Sequence, residues 1–371
     1  MSLMTPLDPS TMSAAAQRAL GPGPGRMMAS KGMLPLPPAD QVAVLYQLSL
    51  DADTIIASAA RATANGLPEK LLVGTLADAS IDPRVLHFFG EMFADKAAIF
   101  NAIVLNPNLA NETLAVLAGK GDARAVDQIA ENEQRLLQYP EIIAAMYMNR
   151  KARMSTIDRV VELAVRNNVK VPGIACWDEV ARALTGGSSA PSDDEAFVET
   201  EAVLEGDDSA ITTGDANTPI AEAEAEAPLV DEKKEKQFRS LSIPAKIRMA
   251  TLGNGQARAA AIRDPVKLVA LAGIKSPGVT DIEAARYAGN ASLAEEVIRY
   301  ISTKREWTKL YGVKVSLCRN PKTPLPESMK IIPFLREKDL TNLSKSKGVP
   351  SALVAQARKL IMQRKGGSDK K

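Results

Sequence analysis

Asn106-Pro107-Asn108-Leu109, followed by Leu114 and Ala118-Gly119, returns as Ser276-Pro277-Gly278-Val279, Ala284 and Ala288-Gly289 at an offset of 170 residues. Downstream, Ile142-Ile143-x-x-Met146-x-x-Asn149 with Met154 returns as Val313-Lys314-x-x-Leu317-x-x-Asn320 with Leu325 at an offset of 171. Within each half, the Asn or Ser turn recurs after 43 residues (Asn106 to Asn149) or 44 (Ser276 to Asn320), a period in the range of helix-pair repeats. The match is degenerate, and coincidence is the competing reading.

The segments around these turns carry helical periodicity. Val85, Phe88, Phe89, Met92 and Phe93 form one apolar stripe at i, i+3, i+4, i+7 and i+8. Asp82-Pro83 opens that helix as N-cap and first helical residue, where proline loses no hydrogen bond. Ile157, Val160, Val161 and Ala164 form a second stripe behind Ser155. Thr280-x-x-Glu283 and Ser292-x-x-Glu295 read as capping boxes that open two helices of the second half. Further helices are expected at 313–317, 327–335, 340–345 and 351–363. Helices this short do not stand alone in water and need neighbours. Aromatic residues make up 4% of a chain that is 46% hydrophobic, so the cores are built from Ala, Leu, Ile, Val and Met. Small residues let helix axes approach closely, and strands at period two are disfavoured.

Between and before these halves the pattern breaks. Residues 1–39, with Gly21-Pro22-Gly23-Pro24-Gly25, are expected to form a disordered tail. Residues 186–236, rich in Ser, Asp, Glu, Gly, Pro and Thr, bury too little apolar surface to offset chain entropy and read as a disordered acidic linker. A solvated helical spacer is the alternative. The expected organisation is therefore a first helical-repeat lobe at 40–185 and a second, basic one at 237–365, with a short tail at 366–371. The fold class is all-α: two short α-solenoid lobes.

The net charge of +2 hides a segregation. Residues 40–185 carry 14 basic and 18 acidic groups, residues 186–232 carry 14 acidic and none basic, and residues 233–371 carry 29 basic and 11 acidic. Such asymmetry speaks to partners and to contacts between segments rather than to fold.

Val315-Ser316-Leu317-Cys318-Arg319-Asn320-Pro321-Lys322-Thr323-Pro324-Leu325-Pro326-Glu327-Ser328-Met329 resembles bacterial leucine-rich-repeat-variant and HEAT-like helical repeats. In those repeats a helix ends at Asn-Pro and Thr-Pro starts the next, and Val269 to Ala288 is similar, with Ser276-Pro277 and Thr280 in the corresponding places. The two-lobed form resembles proteins of myxobacteria-like bacteria. The resemblance is best over residues 265–335, and the tail and linker lie outside it. It implies a curved helical array that binds something. One relative of the variant repeats carries an iron–sulfur domain held by clustered cysteines. Cys176 and Cys318 lie far apart, so that cofactor is not carried over, and no cofactor or metal is expected.

Catalytic signals are weak. His87 is the sole histidine and lies within the Val85–Phe93 segment, with no Gly-x-Ser-x-Gly elbow near it. Gly119-Lys120-Gly121 and Gly253-Asn254-Gly255 lack the rest of a phosphate loop and read as helix ends. Two distant cysteines, no run of roughly 18 apolar residues and no secretory h-region point to a reducing, cytoplasmic setting without membrane insertion.

The most suggestive feature is a run of cations in the second half: Arg299, Lys304, Arg305, Lys309, Lys314, Arg319 and Lys322, with Trp307 and Tyr311 interleaved. On one concave face these would follow a phosphodiester backbone, with Trp307 stacking on a base. Equally, Trp307 reads as a plug between helices and the cations as a solvated outer face. The expected function is a non-enzymatic scaffold that binds a protein partner. The alternative is a nucleic-acid-associated protein that grips polyanions through the basic lobe, with the acidic linker as competitor.

Overall fold

The computed structural model describes residues 4–184, 192–346 and 348–368; the start of the expected linker and the end of the expected C-terminal tail lie outside the described residues. Among the described residues, 68% are helical and no strand is present, so the protein is all-α. The chain forms two compact units, Met1–Gly173 and Ile174–Lys371.

In the first unit the amphipathic stripe buries as its spacing requires. Val85 and Phe89 are 1% and 0% exposed in the helix Pro83–Met92, and Asp82 caps it by accepting from the Arg84 amide at 2.9 Å. Asn106 sits at a buried turn beyond the helix Ala97–Val104. Its Nδ2 donates to the carbonyls of Leu76 and Asp78 at 2.8 and 2.9 Å, and its Oδ1 accepts from the Asn108 amide at 2.8 Å. Asn149 repeats the device after the helix Glu141–Met148, donating to Ala118 and Gly121 and accepting from Lys151. A short amide satisfies helix-end carbonyls that would otherwise be buried without partners.

The second unit uses the same rung. Asn320, which caps the helix Tyr311–Arg319, donates to Ala288 and Asn290 and accepts from the Lys322 amide at 3.0 Å. In all three cases the carbonyl reached lies 28 to 32 residues upstream. Each amide thus ties its turn to a segment about 30 residues earlier in the chain. Ser276 ends the helix Lys267–Lys275 and is buried, but its hydroxyl makes no hydrogen bond among the described residues, so it is not a fourth rung. Of the two expected capping boxes, Thr280–Glu283 forms in full. Ser292 does not cap: the helix Glu295–Thr303 begins after Ala294, and the Ser292 hydroxyl instead bonds Asn290 Oδ1 at 2.6 Å.

Three expectations from composition are corrected. The N-terminal residues are not a disordered tail. Helices Ala14–Leu20 and Pro24–Ser30 pack there, Ala16 and Ala19 are buried, and Tyr46 Oη donates to the Thr5 carbonyl at 2.7 Å. The Gly-Pro alternation makes the break between two helices, with Pro24 at a first-turn position that needs no donor. The described part of 186–236 is not a disordered linker either. It holds the helices Ser192–Leu204, Ser209–Thr212 and Glu222–Glu226 and leads into Glu232–Ser240. Phe197, Leu204, Ile211, Ala216, Ala225 and Val230 are all buried, so well-separated single anchors do what averaged hydrophobicity conceals. Finally, the helix Trp177–Leu184, assigned from the sequence to the first lobe, belongs to the second unit.

This last boundary dissolves most of the charge contrast. Residues 174–371 contain 30 basic and 27 acidic groups, a net of +3, and residues 1–173 contain 16 and 17, a net of −1.

Candidate functional site

Residues 205–231, between the helices Ser192–Leu204 and Glu232–Ser240, run as a strap over the second unit. The chain is pinned at its start by the N-terminus of the helix Gly255–Ile262. Asn254 Nδ2 donates to the Leu204 carbonyl at 2.9 Å, Gln256 Nε2 to the Asp207 carbonyl at 2.9 Å, and the Gly255 amide to Asp208 Oδ2 at 2.6 Å. An aspartate there meets unpaired helix-start donors and the positive end of the dipole.

Further along, the strap caps a second helix. The Gly312 amide donates to the Ala216 carbonyl at 3.0 Å and the Tyr311 amide to Asn217 Oδ1 at 3.2 Å, so two first-turn donors of Tyr311–Arg319 find partners. A Cβ at position 312 would lie 2.4 Å from the Ala216 carbonyl oxygen and 2.6 Å from that of Thr218. Only glycine permits this approach.

The strap then turns into the short helix Glu222–Glu226 against Asp281–Gly289. Asn290 Nδ2 donates to the Ala225 carbonyl at 3.0 Å, and the Ala225 methyl sits where a Cβ at Gly289 would meet it at 3.0 Å. Arg286 reaches Glu224 at 3.4 Å, and its Nε is buried with no partner among the described residues. Arg263 donates to the carbonyls of Glu226 and Ala227 at 3.3 and 2.5 Å. Beside it opens a cleft of about 470 Å³, walled by Glu226, Arg239, Arg263 and Ser292 among others.

Main-chain carbonyls hold the strap together with a few apolar side chains, Ile211, Ala216, Ala225 and Val230 buried and Ile220 and Leu229 half-buried. Ala216 and Ala225 each bury about one methyl group, worth roughly 0.8 kcal/mol apiece. Glu224 meets Arg286 of the helix beneath at 3.4 Å and is 55% exposed.

Below the strap the charges are buried and paired. Arg258 Nε and Nη2 each lie 3.0 Å from a separate oxygen of Glu283, which is 0% exposed. Glu283 also accepts from the Thr280 amide and the Tyr287 hydroxyl. Burial, with Glu283 beside it, holds the Tyr287 phenol well above its ordinary value. Lys246 pairs with Asp264 at 3.1 Å, and Lys275 with Glu179 at 2.7 Å. Arg258–Glu283 and Lys275–Glu179 each join two helices, and Lys246–Asp264 joins a helix to the turn after Gly255–Ile262.

The cations singled out from the sequence are dispersed among local partners. Arg299 pairs with Glu295 one turn away, at 2.6 Å. Arg319 meets Asp339 at 3.3 Å, Lys314 Nζ donates to the Lys309 carbonyl at 3.1 Å, and Lys322 Nζ donates to the Ser292 and Leu293 carbonyls. Trp307 is 2% exposed, edge-on to Tyr300, with Lys304 Nζ 4.0 Å from its ring centroid. It is a core plug and is not presented to a base. Arg305 and Lys309 are exposed, and their side chains form no ion pair or hydrogen bond among the described residues. Arg263, Arg286, Asn290 and Gly312 went unnoticed in the sequence, because the groups they meet are backbone carbonyls or an isolated glutamate.

Cys176 and Cys318 are both free and buried. Burial raises both thiols, Cys318 to about 12. No group of three or more His, Cys, Asp or Glu side chains among the described residues is placed to hold a metal ion. No described helix is long and apolar enough to cross a membrane. Compared with known protein families, with curated proteins and with solved structures, the chain matches none.

Proposed function

We propose that this chain is a non-catalytic scaffold of two short α-solenoids, of the HEAT or leucine-rich-repeat-variant kind, whose second unit binds a protein partner. One observation carries the reading: the second unit already holds a peptide segment largely by its main chain, through Arg263, Asn290 and the Gly312 amide. Recognition of carbonyls by fixed donors on a helical array suits a polypeptide ligand. The recurring Asn106, Asn149 and Asn320 rungs support the solenoid assignment, since each ties a helix end to one about a repeat earlier. The same proposal places the chain in the cytoplasm, where Cys176 and Cys318 stay as thiols.

The polyanion reading rests on less, because only Arg305 and Lys309 of the eight predicted residues are both exposed and without side-chain partners among the described residues. The two are separated with the full chain, carrying a photo-crosslinking residue in place of Lys309 in cells that make it. A captured protein that rebinds the purified chain with little dependence on salt supports the scaffold. A retarded DNA or RNA fragment whose affinity falls steeply with salt overturns it in favour of polyanion binding.

A further inference from the structure

We infer that the strap is a stand-in for the partner: the second unit takes an acidic peptide along the track Gly312, Asn290 and Arg263, and residues 212–231 occupy that track in cis. The inference rests on the scaffold reading and specifies its ligand. Four observations point the same way. The donors on the track are directed at backbone carbonyls, of Ala216 and of Ala225, Glu226 and Ala227, the last three being end carbonyls that the short helix Glu222–Glu226 leaves unpaired. The missing Cβ atoms of Gly312 and Gly289 leave room for the main chain at Ala216 and Thr218 and for the methyl of Ala225. Arg286, with a buried Nε lacking a partner among the described residues, and Arg263 supply positive charge beside the strap's glutamates.

The fourth is the contrast in anchoring. The flanking helices are seated by Phe197, Leu204 and Phe238, all at most 3% exposed. The strap between them is held by Ile211, Ala216, Ala225 and Val230, with Ile220 and Leu229 half-buried against the core, while Thr213, Gly214, Asp215, Asn217, Thr218 and Ala221 are exposed. The middle can therefore leave while both ends stay docked. A tethered segment acts at an effective concentration in the millimolar range, so an incoming peptide competes against a standing occupant. Acidic residues on that peptide would be drawn to the arginines before main-chain contacts form.

The test uses a fluorescent peptide with the sequence of residues 212–231 and reads its anisotropy against three full-length chains. These are the natural chain, one with residues 212–230 replaced by a Gly/Ser stretch of equal length, and that replaced chain carrying Gly312→Val. A scrambled peptide of equal charge is the control. The expected result is affinity at least about tenfold higher for the replaced chain than for the natural one. Gly312→Val should abolish that gain, and the scrambled peptide should bind more weakly. Arg286→Ala and Arg263→Ala, checked for helicity by circular dichroism, provide the loss of affinity should the valine variant fail to fold. Equal affinity for natural and replaced chains, or equal binding of the scrambled peptide, overturns the inference. So does a replaced chain that loses its helical signal, since the strap would then be part of the core. A crosslinked protein partner together with failure of the peptide to bind leaves the scaffold standing and removes only this step.

Discussion

The side-chain amide of Asn290 donates to the carbonyl of Ala225 at 3.0 Å, so the end of the strap's short helix Glu222–Glu226 takes the place that a longer helix takes for the other rungs. Asn320 reaches Ala288 and Asn290, at the end of the helix Asp281–Gly289. Both amides are buried, and removing either strands carbonyls in the interior. Asn320→Ala and Asn149→Ala should each cost roughly 1–3 kcal/mol in urea denaturation, the penalty for unsatisfied buried groups. Asn290→Ala should cost less globally, and hydrogen exchange should quicken at residues 214–230 while the Phe238 helix keeps its protection. A loss at Asn290 as large as at Asn320, spread evenly over the second unit, would contradict this difference.

Trp307 lies inside the second unit, at 2% exposure and against Tyr300. Trp177, at 9%, is the other tryptophan. Their combined emission should be resistant to acrylamide and unmoved by single-stranded oligonucleotides. Trp307→Ala should destabilise by about 3–5 kcal/mol through the cavity it leaves, and Trp307→Phe by less. An oligonucleotide that quenches the emission of the folded chain would show the indole to be reachable after all.

Periodicity made the helices legible where a stripe is continuous, as from Val85 to Phe93. It also made the Asn turns legible, because one residue type recurs in a fixed context. The register was misjudged because Ser276 mimics the turn without an amide, while the true neighbour of Asn320 is Asn290, 30 residues before it. The strap was illegible for a different reason. Its anchors, Ile211, Ala216, Ala225 and Val230, have neither helix nor strand spacing, and its hydrogen bonds come from carbonyls that carry no residue identity. Gly312 is explained only by Ala216 and Thr218, nearly a hundred positions upstream, whose distance in sequence no local pattern bridges. Charge segregation, read along the chain, suggested a basic lobe; in the fold the acidic stretch lies within that same unit.

Glu283 holds Arg258 through both oxygens with neither side chain more than 7% exposed. Breaking such a pair from one side leaves a buried charge, so Glu283→Gln and Arg258→Met alone should each cost about 3–5 kcal/mol. The double variant Arg258→Met with Glu283→Leu should recover most of that loss, and a double-mutant cycle by denaturation reads the coupling. Tyr287 adds an alkaline limit. Its phenol stays protonated in the fold above the ordinary value of about 10, so the unfolded chain releases that proton first and stability falls as pH rises beyond it. Tyr287→Phe should flatten that alkaline loss.

His87 supplies the acid counterpart in the first unit. It is 4% exposed, and its Nδ1 is buried with no partner among the described residues. Its Nε2 lies 3.6 Å from Glu91, which Lys120 also engages, at 2.5 Å. Burial lowers the imidazole below its ordinary value; Glu91 opposes this and Lys120 adds to it. The fold therefore keeps the ring neutral where the unfolded chain binds a proton. Stability is unaffected above the ordinary value of about 6.5 and declines as pH falls from there towards the folded value. The decline should vanish in His87→Gln, measured as the difference between the two urea midpoints across about pH 7 to 5. A raised value would reverse the sign, with the natural chain gaining stability over the variant as the solution is acidified. As the sole histidine, His87 also gives a single set of imidazole proton resonances whose titration reports the folded value directly.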